Sequence, residues 1–342
     1  MERKISFVIP AYNAESTIEK CIGSIVEQEL KCYEVIVVND GSKDGTLERV
    51  KALQLMNPNI NLIDIPNGGP SNARNVGLES VSGDYILMID SDDYFNDSTC
   101  IKRYIESMEE DSLDILVFGC QDVFLNQGEV VNVIQSDIKE AFYGSRKEFF
   151  DNIGTHMLQK IIYSASNKVY RADIVKERQI RFDTNLLMEE DFLFNICYFE
   201  YATRARFVEE SPYSYLHEQG AGSLSQKYVP NIKEITKMSF DRLIQLLEKE
   251  GAYQGLNKKN IDTYFIKRVS GWINSLFTKS CRLSSYSKIK QIREMMKDSV
   301  VQERLESFEV QDKKDKILFV FLKYKCATIA YGVYGLLNMV RK

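Results

Sequence analysis

The segment Tyr85-Ile86-Leu87-Met88-Ile89-Asp90-Ser91-Asp92-Asp93 places three carboxylates directly after a run of apolar residues. Such a run is typical of a buried strand, and the carboxylates then lie at its C-terminal end. Because side chains alternate along an extended segment, Asp90 and Asp92 are expected on one side and Asp93 on the other. Their hard oxygens favour Mg2+ or Mn2+. An acidic turn that caps the next helix explains the same residues. The rest of the sequence is therefore needed to choose between a metal site and a capping turn.

From residue 5 to residue 90, short apolar runs alternate with segments of helical length. The runs predict strands at Ile5–Ile9, Val35–Val38, Asn61–Ile65 and Asp84–Ile89. The segments between them predict helices at Ser16–Glu29, Asp44–Leu55 and Ser71–Ser80, each with a capping residue at its start. This order is typical of a doubly wound, mostly parallel sheet, in which ligands bind beyond the carboxyl ends of the strands. The polar loops after the four strands are therefore expected to converge at one edge.

The rest of the chain is expected to form a mixed α/β half and then a helical region. The pattern predicts a strand at 114–118, a hairpin or an extended excursion over 122–142, a helix near 146–159 and a strand at Lys168–Tyr170. It also predicts a helix near 189–201 and strands near 205–208 and 212–216. After about residue 228 the pattern is helical. We accordingly divide the chain into residues 1–105, 106–228 and 229–342.

Composition and motifs narrow the class of protein. The net charge is −5, and no Lys/Arg run interleaved with aromatic residues lies near the acidic segment, which argues against a nucleic-acid partner. Seven cysteines without a Cys-x-x-Cys pair indicate neither a zinc site nor a disulfide framework, and the N-terminus lacks a signal-peptide pattern. A cytoplasmic protein fits best. Neither Gly-x-Gly-x-x-Gly after the first strand nor Gly-x-x-x-x-Gly-Lys-Ser/Thr is present, which argues against a dinucleotide dehydrogenase and a P-loop NTPase.

Residues 313–342 differ in charge from the rest of the chain. Seven basic residues stand against Asp315, which gives this segment +6 and leaves −11 for the residues before it. The uncharged run Cys326–Val340 is shorter than the roughly 20 apolar residues that span a bilayer. Two interpretations stay open: an amphipathic helix that contacts anionic lipid at a membrane surface, and a helix docked on the protein with solvated lysines.

Two of the strand-end loops carry candidate ligand-binding side chains. Tyr12 follows Pro10-Ala11, where its ring could stack on a nucleobase or pack against the loop. Asp40 could accept a hydrogen bond from an imide N–H such as that of uracil, or form an Asx turn. Because Ser42 or Asp44 could cap the next helix instead, Asp40 is expected to be freer to bind a ligand.

The third loop combines Gly68-Gly69 with a helix start and Arg74. Backbone N–H groups at that helix start could bind phosphate together with Arg74, or they could position the neighbouring strand ends. A structural turn followed by a helix explains the glycines equally well, but it explains Arg74 less well.

Four of these segments, in this order and spacing, resemble the motifs of inverting family 2 glycosyltransferases with the GT-A fold. They are V-I-P-A-Y-N at 8–13, V-V-N-D-G-S-K-D-G-T at 37–46, N-G-G to A-R-N-V-G at 67–77 and D-S-D-D at 90–93. The resemblance is specific over about residues 4–100, weaker through 225 and undetectable afterwards. It implies a GT-A nucleotide-diphospho-sugar transferase fold, with donor binding in 1–105, acceptor binding in 106–228 and a helical C-terminal region.

The resemblance also implies a UDP-sugar donor and a metal ion. The residues implied around the nucleotide are Pro10, Ala11, Tyr12, Asn13, Asp40, Gly68 and Arg74. Asp90-Ser91-Asp92 would be the metal-and-ribose motif. Asp92 is then the direct ligand of Mn2+ or Mg2+, and Asp90 contacts the ribose or metal-bound water.

Glu189-Glu190-Asp191 resembles the family's Glu-Asp segment, which implies Asp191 as general base and Glu190 as a residue that orients the acceptor. An acidic first helical turn favoured by the helix dipole explains Glu189 and Glu190 without catalysis. His217 precedes a loop at Gly220–Ser225 where the family places a closing segment. It is a candidate third metal ligand or phosphate donor, and a surface histidine is the alternative.

Asn167-Lys168 resembles the family's Asn-Lys segment, although the usual preceding Trp is replaced here by Ala165-Ser166. The resemblance implies that this segment shapes the acceptor site, and the missing Trp is a departure from the family's pattern at that point.

The implied activity is metal-dependent, inverting transfer of a hexosyl or N-acetylhexosaminyl unit from a UDP-sugar to a hydroxyl acceptor. By analogy the acceptor is a growing or lipid-linked glycan of a bacterial capsule or exopolysaccharide, and the enzyme works in the cytoplasm or at the inner face of the plasma membrane. Two alternatives stay open, a sugar-phosphate nucleotidyltransferase and a catalytically silent nucleotide-sugar-binding protein. The first is disfavoured because the chain lacks an N-terminal glycine-rich nucleotidyl loop.

Overall fold

The computed structural model describes residues 3–218 and 228–340. The chain divides into two compact units. The first unit contains Met1–Phe149, Gln159–Leu186 and Glu190–Gly220, and the second contains Phe150–Leu158, Leu187–Glu189 and Ala221–Lys342. Both sides of the predicted boundary at residue 105 lie in the first unit, whereas 229–342 lies in the second.

A mixed β-sheet forms the centre of the first unit. Its strands are β1 (Ile5–Ala11), β2 (Tyr33–Asp40), β3 (Ile60–Ile65), β4 (Tyr85–Met88), β5 (Tyr94–Phe95), β6 (Ile115–Asn126), β7 (Glu129–Gln135), β8 (Ala141–Tyr143), β9 (Lys168–Arg171) and β10 (Ala205–Glu218). The order in the sheet is β3-β2-β1-β4-β9-β6-β10-β5, with β7 on β6 and β8 on β10. Parallel pairs join β3, β2, β1 and β4, whereas β9 is antiparallel to both β4 and β6.

The helices of the first unit connect and flank these strands. They are α1 (Ile18–Val26), α2 (Thr46–Met56), α3 (Pro70–Glu79), α4 (Cys100–Glu110), the start of α5 (Arg146–Leu158), α6 (Ala172–Glu177) and α7 (Glu190–Phe199). Strands β1, β2 and β4 are almost entirely buried, as expected of parallel strands with both faces covered. Helix α3 lies close to β1, since a Cβ atom at Gly77 would stand 2.4 Å from Val8 Cγ1.

Most of the sequence-based elements are confirmed. The strand expected at 114–118 and the start of the segment expected over 122–142 form one strand, β6, and three further differences are present. The two strands expected near 205–208 and 212–216 are one strand, β10, with a register shift between Val208 and Tyr213. Strand β5 and helices α4 and α6 were not expected. Asp44, expected to cap the second helix, accepts a hydrogen bond from Thr46 N, the first residue of α2, at 3.1 Å. The caps expected at the other two helices are absent, because α1 and α3 begin after Thr17 and Gly69 without a side-chain cap bond.

The second unit is helical in its described part, which confirms the expectation for residues after 228. Its helices are α8 (Ile232–Lys249), α9 (Gly255–Ser275), α10 (Ser285–Lys297), α11 (Ser299–Leu305), α12 (Lys313–Tyr324) and α13 (Ala327–Val340), together with the end of α5. Phe240, Phe265 and Trp272 are buried in its core, and their rings pack edge to face. Over residues 3–218 and 228–340, no helix combines the length and apolar character needed to cross a bilayer.

Candidate active site

The loops after β1 and β2 meet at one edge of the sheet. The parallel register sets Ala11 beside Asn39, so the residues that follow the two strands emerge side by side. Asn13 N donates to Ser42 Oγ at 3.0 Å, and Lys43 N donates to Asn13 Oδ1 at 2.8 Å. Asn13 has a left-handed φ of +51°, which asparagine tolerates better than most residues. This confirms the predicted convergence for these two loops.

Three further residues predicted to bind uridine lie at the end of β1 and directly after it. Pro10 is half-buried, Ala11 is fully buried, and Tyr12 is 50% exposed. The Tyr12 ring is therefore accessible for stacking, as a nucleobase contact requires. Since the Ala11 side chain faces the core, only its backbone is left to contact a ligand.

Asp40 has partners that the sequence did not predict. The residue is buried, and its Oδ1 and Oδ2 accept hydrogen bonds from Gly68 N at 2.7 Å and Gly69 N at 2.9 Å. Asn67 Nδ2 donates to the Asp40 carbonyl at 2.9 Å, and Gly69 has a φ of +87° that favours glycine. The carboxylate thus holds the glycine loop, contrary to the expectation that it is free. Uracil recognition by Asp40 and nucleotide binding by Gly68 stay predictions.

The three aspartates after β4 have different surroundings. Asp93 is buried and accepts hydrogen bonds from Tyr213 OH at 2.6 Å and Leu216 N at 3.0 Å. Burial, with the charges of Asp90 and Asp92, raises the Asp93 pKa well above its ordinary value. Asp93 therefore ties the acidic loop to β10.

Asp92, in contrast, is exposed, and Ser91 beside it is half-exposed. Surrounding protein atoms desolvate the Asp92 carboxyl and, together with Asp90, raise its pKa. A cation bound there would relieve this repulsion between carboxylates.

Arg74 links the acidic loop to the predicted base. Its side chain is buried, and its Nη2 donates to Asp90 Oδ1 at 2.7 Å. Its Nη1 lies 3.4 Å from Asp191 Oδ1 and 3.8 Å from Glu190 Oε1. Burial opposes the charge of Arg74, but Asp191, Asp90 and Glu190 outweigh it and raise the Arg74 pKa. The guanidinium therefore stays charged and holds three carboxylates around it.

Glu190 and Asp191 form the first turn of α7. Asp191 Oδ2 accepts a hydrogen bond from Ala165 N at 3.0 Å. Asp191 Oδ1 is buried and has no hydrogen bond within the described residues, although it faces Arg74. Burial, and then the neighbouring charge of Asp191, raise the Glu190 pKa to about 7. Glu190 therefore titrates near neutral pH beside Asp191.

The loop that donates to Asp191 is held by buried polar side chains. Lys168 Nζ donates to Ile161 O at 2.8 Å, Ser164 O at 2.5 Å and Asn167 Oδ1 at 2.6 Å. Burial lowers the Lys168 pKa to about 7, but three oxygen acceptors match the three protons of an ammonium group.

Asn195, one turn after Asp191 on α7, binds the same loop. Its Nδ2 lies 2.8 Å, 2.9 Å and 3.0 Å from the carbonyl oxygens of Ile162, Tyr163 and Ser164. Its Oδ1 accepts from Tyr170 OH at 2.6 Å. Residues 161–165 are thus bound to both β9 and α7. The sequence suggested Asn167 and Lys168 only through a resemblance, and it gave no indication of Asn195.

His217 lies on β10 and is held by its neighbours. Its Nε2 is 2.7 Å from Asp122 Oδ1, and its ring stacks on Phe124 with centroids 4.7 Å apart. A metal ion or phosphate would therefore meet Nδ1 rather than Nε2. The predicted closing loop Gly220–Ser225 lies outside the described residues.

The residues present fit a divalent cation only in part. Asp92 offers a hard carboxylate to which no other described residue donates a hydrogen bond, whereas Asp90 shares one oxygen with Arg74. Among the described residues, no group of three or more His, Cys, Asp and Glu side chains could hold a metal ion. Mg2+ in nucleotide sites is commonly held by one or two carboxylates plus phosphate oxygens and water. Asp92, with Asp90, would suit that arrangement.

Comparison with known proteins identifies the family. The model of glycosyl transferase family 2 matches residues 6–179, just over half of the chain and the part that holds Asp40, Arg74 and Asp90 to Asp92. The chain belongs to glycosyl transferase family 2. This confirms the resemblance, and it means that the chain is a glycosyltransferase.

Relatives in this family differ in how much of their length is shared. The chain is 26% identical over 313 residues to the uncharacterized glycosyltransferase EpsJ of Bacillus subtilis, covering 91% of this chain and 88% of EpsJ. It is 31% identical over 230 residues to the poly(ribitol-phosphate) beta-N-acetylglucosaminyltransferase TarS of Staphylococcus aureus, covering 66% of this chain but only 38% of TarS.

Solved structures confirm the GT-A fold. The crystal structure of S. aureus TarS 1-349 in complex with UDP-GlcNAc superposes with a TM-score of 0.69 at 22% identity. The likeness covers 99% of this chain and 92% of that one, and so extends through the helical region that the family model does not match.

Proposed function

We propose that the chain is a metal-dependent, inverting glycosyltransferase that moves a hexosyl or N-acetylhexosaminyl unit from a UDP-sugar to a hydroxyl acceptor. One observation carries this proposal: Asp90 of the donor motif and Asp191 of the Glu-Asp segment both contact the guanidinium of Arg74. The names of relatives support the donor and the β product, since TarS is a beta-N-acetylglucosaminyltransferase with solved UDP and UDP-GlcNAc complexes.

In the proposed reaction Asp191 is the general base. As the acceptor oxygen forms its bond to the anomeric carbon, Asp191 takes the hydroxyl proton, and the bond from that carbon to UDP breaks with both electrons on the UDP oxygen. Displacement from the opposite side converts an α-linked donor into a β-linked product. Glu190 would orient the acceptor, and Tyr12 and Asp40 would hold the uracil. A divalent cation at Asp92 would supply charge neutralisation for the departing diphosphate.

The names of relatives favour a polymer or a glycan as the acceptor. Several relatives are named for poly(ribitol-phosphate) or teichoic acid synthesis, and another is the putative glycosyltransferase EpsH. We accordingly propose a hydroxyl of a growing bacterial surface polymer, either a lipid-linked glycan of the capsule or exopolysaccharide type or a polyol-phosphate chain. These acceptors share repeated, exposed hydroxyl groups.

The test measures UDP release from a panel of UDP-hexoses and UDP-N-acetylhexosamines in Mn2+, Mg2+ or EDTA. One donor should be hydrolysed slowly in the presence of metal, and Asp92→Asn and Asp191→Asn should reduce this rate by about 10² to 10⁴. Asp137→Asn, an exposed carboxylate between β7 and β8, is the control and should leave the rate unchanged.

Two other outcomes separate the alternatives. Metal-dependent UDP binding without turnover, in the presence of any tested acceptor, would indicate a silent binding protein. Pyrophosphate release from a nucleoside triphosphate and a sugar phosphate would indicate a nucleotidyltransferase. A retained α configuration in the product would contradict the role given to Asp191.

A further inference from the structure

The docked face of α13 carries polar groups. Tyr334 OH lies 2.8 Å from Ser270 Oγ, and Asn338 Nδ2 donates to Asn274 Oδ1 at 3.2 Å, both on α9. Tyr331 OH donates to Ser285 Oγ of α10 at 2.9 Å. These contacts fix which side of α13 faces the rest of the second unit.

The opposite face of α13 is apolar and exposed. Ile329, Leu336 and Met339 are 61%, 66% and 72% exposed, and their spacing of seven and three residues places them in one stripe. The helix from Ala327 to Val340 contains no charged residue. An ordinary surface helix has the reverse arrangement, with its apolar stripe toward the core.

Helix α12 presents a similar stripe. Ile317, Val320 and Tyr324 follow the i, i+3, i+7 pattern and are 47%, 39% and 67% exposed, whereas Leu318 and Leu322 face the core. Two consecutive helices therefore both expose apolar side chains to solvent. Exposed apolar side chains of this kind are typical of interaction surfaces.

The exposed charges on this segment are all positive. Five lysines are exposed, namely Lys313, Lys314, Lys316, Lys323 and Lys325. The one acidic residue between 313 and 340 is Asp315, which is buried and lies 3.1 Å from Lys267 Nζ of α9. The exposed part of α12 and α13 therefore combines apolar side chains with lysines, of which Lys314 lies near Asp312 at the start of α12.

We propose that α12 and α13 form a docking surface for an anionic membrane. Lysines beside exposed apolar side chains match a layer of negative headgroups above acyl chains. A second copy of the chain fits less well, since pairing of this surface with itself would bring like charges together. Membrane docking is independent of sugar transfer, so the two can fail separately.

The test is flotation of the full chain with vesicles of phosphatidylcholine alone and of an equimolar mixture with phosphatidylglycerol. Wild type should bind the mixed vesicles and bind more weakly at high salt. Leu336→Gln/Met339→Gln and Lys316→Gln/Lys323→Gln should each lower the partition coefficient by about tenfold or more. The control Leu55→Gln/Met56→Gln removes side chains that are 89% and 75% exposed on α2, and it should bind as wild type does.

Circular dichroism will verify that each variant is folded, which the exposure of these residues predicts. The Asp191→Asn variant should bind vesicles as well as wild type does. Unchanged vesicle binding in both surface variants would overturn the proposal. So would a wild-type dimer that the Leu336→Gln/Met339→Gln variant loses in light scattering, because a second copy would then cover this surface.

Discussion

A single guanidinium organises the charges of the candidate site. Arg74 is buried among Asp90, Glu190 and Asp191, and its ring neighbour is Phe182, whose centroid lies 5.3 Å from Arg74 Cζ. A lysine would supply the charge but not the planar, multiply donating geometry. The identity of this residue therefore matters beyond its charge.

Arg74→Met should be strongly destabilising, because it leaves several carboxylates near the core without a cation. We expect the free energy of unfolding to fall by about 3 to 5 kcal/mol in urea titrations, and donor hydrolysis to be lost. Arg49→Met is the control, since Arg49 pairs with Glu15 and Glu19 at 43% exposure and should cost less than about 1 kcal/mol. Equal effects of the two substitutions would contradict this role of Arg74.

Glu190 should make stability depend on pH in a defined direction. Its pKa rises from 4.5 to about 7 on folding, so the folded state binds more protons than the unfolded state between these values. The free energy of unfolding therefore falls as the pH rises from 4.5 to about 7.

Glu190→Gln should abolish this fall in the free energy of unfolding, because a glutamine side chain does not ionise. The variant should exceed wild type in the free energy of unfolding by about 1 to 3 kcal/mol near pH 8 and match it near pH 4. Glu79→Gln, at an exposed position of α3, should show no such trend. Parallel pH profiles for wild type and Glu190→Gln would rule the explanation out.

At the scale of elements, the position of α3 depends on a glycine. Gly77→Ala would set a methyl group 2.4 Å from Val8 Cγ1 of β1, and we expect a loss of about 1 to 3 kcal/mol. Gly23→Ala in α1 is the matched control, because a Cβ there meets no atom within 4 Å. It should stabilise by about 0.5 to 1 kcal/mol. Thermal unfolding will compare the two, and a stabilising Gly77→Ala would show that α3 can move away from β1.

Substitutions that release the loop at 161–165 should lower both stability and activity. Asn195→Leu keeps the volume but leaves three carbonyl groups and Tyr170 OH without this partner. We expect a loss of about 2 to 4 kcal/mol and a fall in kcat with little change in donor KM, since Ala165 N would no longer fix Asp191. Asn185→Leu, at an exposed turn, is the control. A change confined to donor KM would place the role of this loop elsewhere.

In the whole molecule, the second unit includes short segments that come earlier in the sequence than its helical region. Leu187–Glu189 is part of the second unit, where Glu189 accepts hydrogen bonds from Arg268 and from Thr236 Oγ1. Glu189 also has a left-handed φ of +71°, an unfavourable conformation for glutamate. The second unit therefore depends on residues that precede the helical region by tens of positions.

Glu189→Gln should lower the free energy of unfolding by about 2 to 4 kcal/mol, because the Arg268 guanidinium loses its buried countercharge. Thermal unfolding followed by far-ultraviolet circular dichroism will measure this change, with Glu79→Gln as the control. If the two variants unfold alike, the ion pair contributes little to the second unit.

Much of the fold and part of the site could be predicted from the sequence. The alternation of apolar runs and helix-length segments predicted β1 to β4 and α1 to α3, since these elements are set by local periodicity. Asp90 to Asp92, Arg74 and Asp191 were singled out through a resemblance in motif order. The family model covers residues 6–179, and the roles of these side chains stay predictions. The caps predicted for α1 and α3 were wrong because side-chain cap bonds depend on a precise local geometry that composition does not specify.

Local features follow from the amino-acid sequence alone, namely which segments form strands and helices and which polar residues follow each strand. Pairing at long range is set only when the chain packs. Asp40 binds the glycine loop, Asp93 binds Tyr213, and Arg74 joins residues more than a hundred positions apart. The physical reason is that buried polar groups must find partners, and those partners are set by the packing of the chain rather than by neighbours in sequence.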